Sequence, residues 1–114
     1  SPAEKQLALS ALTNQWSQRH SAEAFNWTSQ LTDESLKLTL MPGVLKNFAL
    51  IHPGPAADWL NQYQASPAMD ASIVAYAKAI QFTNPAAALE SATAITDPNL
   101  RQVTIASIQR NQNR

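Results

Sequence analysis

The segment NPAAALESATAITDPN, Asn84 to Asn99, decides the fold of this chain. It holds two helix starts of one kind, Asn84-Pro85 and Asp97-Pro98. In each, a side chain that can cap free N–H groups stands directly before a Pro, whose fixed φ and missing N–H suit the first helical position. The Ala-rich run between them shows no strand-like alternation, so it predicts a short helix, a tight turn and a second helix. Ser66-Pro67 is a third start of the same kind.

Working outward, large apolar residues recur every 32 positions without insertions: Trp16, Phe48 and Ile80; Leu9, Met41, Ile73 and Ile105; Leu12, Val44, Tyr76 and Ile108; Leu31, Tyr63 and Ile95. Small residues recur in the same way, as Ala24, Ala56 and Ala88 and as Ala11, Gly43, Ala75 and Ser107, which suits close helix approach. The breaks recur too, with Ser21, Pro53 and Pro85 aligned and Asp33 aligned with Asp97. Within a unit the apolar steps of three and four are helical. Helices are expected at about 3–18, 22–31, 34–51, 55–64, 67–82, 85–95 and 98–110.

The expected fold is therefore all-α, a single domain over 1–114 built from units 1–32, 33–64 and 65–96 with a capping helix over 97–114. An antiparallel hairpin cannot bury its apolar face alone, so successive pairs are expected to stack into a right-handed α-solenoid of three hairpins and a closing helix. Pro42-Gly43 predicts a kink in the third helix. The surrounding stretch, Leu36 to Ile51, is the most apolar in the chain; either it is the buried centre of the stack or it exposes a patch that a partner covers. In the last helix, Leu100, Val103, Ile105 and Ile108 are expected inward and Thr104, Ser107 and Gln109 outward, marking a natural boundary. At the other end the chain opens at Ser1 without Met, as a processed product or a segment of something longer would.

The units resemble the tetratricopeptide repeat class. They share a bulky residue near the end of the first helix, a small residue within it, Ala in the second helix and a closing Asp97-Pro98-Asn99. Asn84 to Asn99 is the best match. The period is 32 where that class has about 34, and the aromatic expected early in the second helix stands only at Phe25, replaced by Ala57 and Leu89. The chain is thus similar to the short, divergent helical repeats of bacterial α-solenoids. The resemblance implies a protein-binding scaffold, often part of a longer chain, and no catalytic residues. It leans the compartment towards a bacterial periplasm or envelope without fixing it.

Composition narrows the function classes. Of 114 residues, eight are basic and eight acidic, so the charge footprint of a nucleic-acid or anionic-membrane binder is missing. Without cysteine there is no disulfide, thiolate metal site or cysteine nucleophile. Two glycines cannot build a phosphate-cradling loop, and no apolar run approaches the length of a membrane span. His20 and His52 share a column with Asn84, but stacked helices lie roughly 8–10 Å apart, too far for two imidazoles to bind one ion; each is expected to help cap the following helix. Glu23, Asp58 and Glu90 fall on second helices beside polar neighbours and read as a solvated face rather than an acid–base pair. No enzymatic activity, metal or cofactor is expected.

Recognition is the remaining class. Asn14, Lys46, Lys78 and Arg110 occupy one column on the first helices, and Asn26, Asp58 and Glu90 answer on the second helices. The basic line is expected to meet an acidic segment of a partner protein or peptide, or the two oppositely charged faces to meet in self-association. Trp27 and Trp59 also align beside the apolar stripe of the second helices, where they are expected to pack between adjacent repeats or, as the other reading, to stand at an exposed groove. Loss of that column at Ser91 predicts a notch beside Trp59 able to accept a partner side chain. The alternative function is a non-catalytic spacer of a larger secreted or envelope enzyme.

Overall fold

The computed structural model describes residues 1–113. It is all-α, with seven helices: α1 Pro2–Arg19, α2 Ser21–Ser29, α3 Glu34–Ile51, α4 Pro53–Leu60, α5 Asp70–Ile80, α6 Pro85–Ala92 and α7 Pro98–Gln112. Among the described residues there is no strand, and no helix is long and apolar enough to cross a membrane. The starts follow the cap chemistry. Asp33 accepts from Leu36 N at 3.1 Å, Asn84 from Ala87 N at 3.1 Å, and Asp97 from Asn99 N at 2.9 Å and Leu100 N at 3.2 Å. Ser1 and Glu4 add a reciprocal capping box on α1.

Three starts differ from expectation. Ser66 makes no side-chain cap; Pro67–Met69 forms a single 3-10 turn, and α5 begins only at Asp70. His20 and His52 also leave the N–H groups of α2 and α4 uncapped by their side chains. Both sit instead in one kind of sharp corner, with φ/ψ of −135°/63° and −126°/68°, and Asn84 has −147°/77°. In each corner the N–H returns to the residue four back (Trp16, Phe48 or Ile80) and the carbonyl receives the N–H four ahead (Ala24, Ala56 or Ala88).

α1, α3 and α5 form the spine, and α7 packs on α6. α3 packs on α1 and α5, and each even helix lies between the odd helix before it and the one after. The body measures 42 × 28 × 25 Å. One apolar cluster runs through it, from Phe25 and Phe48, stacked with ring centres 3.9 Å apart, through Met41, Val44 and Leu45 to Ile73, Ile80, Ile95 and Ile108. α3 supplies its middle. The helix passes through Pro42 without interruption, because six buried apolar side chains (Leu40, Met41, Val44, Leu45, Phe48 and Ala49) hold it on both sides of the one hydrogen bond the ring removes. Most of this apolar helix is buried, while Leu50 and Ile51 at its end are exposed.

In α7 the inward face runs Leu100, Thr104, Ile108, at steps of four. Thr104 is buried and Val103 exposed, the reverse of the expectation. Position 103 lies about 100° round the helix from 104, and the geometry of the face overrides side-chain polarity there.

Candidate functional site

The basic column resolves into three situations. Lys46 on α3 and Lys78 on α5 are exposed and line one groove between their helices, about 360 Å³ in volume, with Val74, Ala75 and Ala79 among its apolar walls. Neither lysine forms an ion pair among the described residues. Arg110, exposed near the end of α7, is not part of that groove. Asn14 is half-buried and turned inward: its side chain lies 3.5 Å from where a Cβ on Gly43 would stand, and its Oδ1 has no hydrogen-bond partner.

One exposed apolar residue lines the groove, and a second repeats its spacing from the next lysine. Leu50, 64% exposed, lies one turn after Lys46 and lines it; Phe82, 73% exposed, follows Lys78 by the same four positions, just past the end of α5. Phe82 was not singled out from sequence. Its signal was present, because Lys46/Leu50 and Lys78/Phe82 are the same i, i+4 pair set 32 residues apart.

Trp59 is largely buried. It is 5% exposed, packed edge-on to Phe25 with ring centres 6.5 Å apart and tilted against Tyr63 at 4.9 Å. Trp27 is the exposed member of that pair and meets Trp16 edge-on at 6.0 Å. The position of Ser91 does open a cleft of about 360 Å³, bounded by α4, α5 and α6, with Ala57, Met69 and Ile73 inside and Glu90 at its edge. Its wall is Tyr63 and Tyr76, not Trp59. Burial raises the Tyr76 hydroxyl above its ordinary range. For Tyr63, burial and then the nearby Glu34 carboxylate act in the same direction.

The carboxylates do not converge. Asp58 lines a separate shallow pocket with Lys37 and Pro55, while Glu90 faces the Ser91 cleft. His20 and His52 are exposed, and among the described residues no group of three or more His, Asp or Glu side chains is placed to hold a metal ion.

One buried carboxylate is fully employed in structure. Asp70 Oδ1 accepts from Thr96 N at 2.8 Å, and its Oδ2 accepts from Thr96 Oγ1 at 2.8 Å and Asp97 N at 3.1 Å. Burial alone would raise this carboxyl; the hydrogen bonds from Thr96 and Asp97, with the charge of Arg101, more than offset it and hold the group below its ordinary value. It ties the start of α5 to the turn between α6 and α7.

No protein-family model, curated protein or solved structure matches this chain. Its own residues carry the functional reading.

Proposed function

We propose that this chain is a protein–protein interaction module, a right-handed α-solenoid of three helical hairpins and a closing helix, that binds an acidic, apolar-bearing peptide segment along its odd-numbered helices. The groove between α3 and α5 carries the reading: two lysines that form no ion pair among the described residues stand beside apolar walls, and Leu50 lines the same groove while 64% exposed. An aliphatic or aromatic side chain in the groove would bury surface that water now covers. Flanking Asp or Glu residues would meet Lys46 and Lys78, which steer encounter and fix register more than they add affinity. Arg110 extends the basic character towards the end of α7.

The solenoid reading is supported by the common corner at residues 20, 52 and 84. Two amide bridges, each spanning 30 residues, support it further: Asn47 Nδ2 of α3 donates to Ser17 Oγ of α1 at 2.8 Å, and Asn111 Nδ2 of α7 donates at 2.8 Å to Oε1 of Gln81, the residue directly after α5.

A random-peptide library selected on the purified chain tests the proposal. Bound sequences are expected to pair Asp or Glu with Leu, Phe or Trp, to shift backbone NMR signals in α3 and α5, and to lose binding when Lys46→Glu and Lys78→Glu are combined. Selected peptides without acidic residues, or peptides that the charge-reversed variant retains, would refute it.

A further inference from the structure

α3 shows what one face of an odd helix is for. Gly43 and Asn47 are turned to α1, through the contact of Gly43 with Asn14 and the bond from Asn47 to Ser17. On α5, the residues 32 positions on, Ala75 and Ala79, line the groove shared with α3. On α7, Asn111 reaches back to Gln81 at the end of α5. The corresponding residues of α1, Ala11 and Gln15, face solvent, as does Leu12, 64% exposed, where Val44 and Ile108 are fully buried. Among the described residues, α1 has no helix on the side where α3 and α5 each have one.

This bare stripe has a charge pattern that names its occupant. Glu4, Ala8, Ala11, Leu12, Gln15 and Arg19 follow one another at helical steps and lie on one side of α1. All six are exposed. The acid is at one end, the base at the other, and both stand equally far from the Ala11–Leu12 midpoint. We infer that α1 pairs antiparallel with α1 of a second copy of this chain about a two-fold axis through that midpoint. Glu4 then meets the partner's Arg19, Ala8 meets the partner's Gln15, and Ala11 meets the partner's Leu12. The small residues let the backbones approach, and each end closes with an opposite-charge pair. A parallel pairing would set Glu4 against Glu4 and Arg19 against Arg19, so the stripe complements itself in one direction only. Arg19 forms no ion pair among the described residues, and Glu4 meets only the exposed terminal amine, at 3.3 Å.

A single helix stripe makes a small interface, so the pairing belongs to the weak, concentration-dependent class. The comparison of faces rests on the stacked-helix reading above, but the stripe is separate from the peptide groove, and the variants separate the two readings. Lys46→Glu with Lys78→Glu is expected to leave self-association unchanged.

Sedimentation equilibrium from micromolar to several hundred micromolar chain tests the inference, with circular dichroism confirming that each variant stays helical. The wild type is expected to show a monomer–dimer equilibrium, and Leu12→Glu to be monomeric throughout. Glu4→Arg and Arg19→Glu should each weaken the dimer by about tenfold or more, because each sets like charges together. Mixing these two single variants should restore pairing, as each supplies the charge the other lacks. A wild type that is monomeric over the whole range, a dimer indifferent to Leu12→Glu, or a mixture that fails to pair would overturn it.

Discussion

α1 and α3 are the same length, 18 residues, and each ends at a histidine corner. Their buried faces have little else in common. α3 buries six apolar side chains; the fully buried residues of α1 are Thr13 and Ser17. Both hydroxyls bond back to their own helix, Thr13 to the Leu9 carbonyl at 2.8 Å and Ser17 to that of Asn14 at 2.7 Å. α1 therefore joins the fold through two buried, satisfied polar groups and the half-buried Trp16, with little apolar burial, whereas α3 is the core. The difference shows that helices of equal length in one fold are not equal in stability: the number of packed neighbours and the apolar area buried decide it, not helix propensity.

The largest effect should come from emptying the α3 core. Phe48→Ala removes the ring stacked on Phe25 and should cost about 3–5 kcal/mol in denaturant unfolding, while Leu12→Ala on the exposed stripe of α1 should stay within about 0.5 kcal/mol. A comparable loss at both sites would break the comparison. Amide exchange should sharpen it, with α1 exchanging well before α3 because it opens without disrupting the apolar cluster.

Asp70 comes next. Asp70→Ala strands two backbone N–H groups and the Thr96 hydroxyl, and should cost about 2–3 kcal/mol near neutral pH. The sign of the pH effect follows from the lowered carboxyl: its contribution is fully present above the ordinary value of 3.8 and is lost as pH falls through the lower folded value. Urea unfolding of the wild type should weaken in that acid range, and Asp70→Asn should lack that part of the slope. An identical slope in both would remove the carboxylate from the argument.

These two sites mark what sequence could show. The helices, their breaks and the caps at Asn84 and Asp97 are local, and the residues that make them sit within three or four positions of their targets. Lys46 and Lys78 were legible for the same reason, as a column at fixed spacing. The groove between them was not, because its walls come from two helices. Asp70 left no signal either, since its partners lie 26 and 27 residues away. Trp59 is buried where Trp27 of the same column is exposed, and Thr104 takes the inward place expected of Val103, because periodicity fixes a residue's column, while its exposure depends on what the neighbouring helix brings to that side.

A smaller effect tests how α1 is attached. Asn47→Ala removes the bridge to Ser17 and should cost about 1 kcal/mol, and a double-mutant cycle with Ser17→Ala should give a coupling of the same order. No coupling would mean that α1 is held by its apolar fringe alone.

The smallest predicted effect is a gain. The three corners share a backbone shape, yet only Asn84 caps the helix that follows, through Ala87 N. His20→Asn places an acceptor before Ser21, Ala22 and Glu23, all of which have an N–H to donate, and should stabilise the fold by about 0.5–1 kcal/mol. His52→Asn should gain less, because the third residue after it is Pro55, which has no N–H, leaving Gly54 as the donor. Thermal unfolding of the two variants side by side measures the difference. Equal gains would show that the amide helps by easing the corner conformation itself, and the inequality of the three corners would then lie in backbone preference rather than in capping.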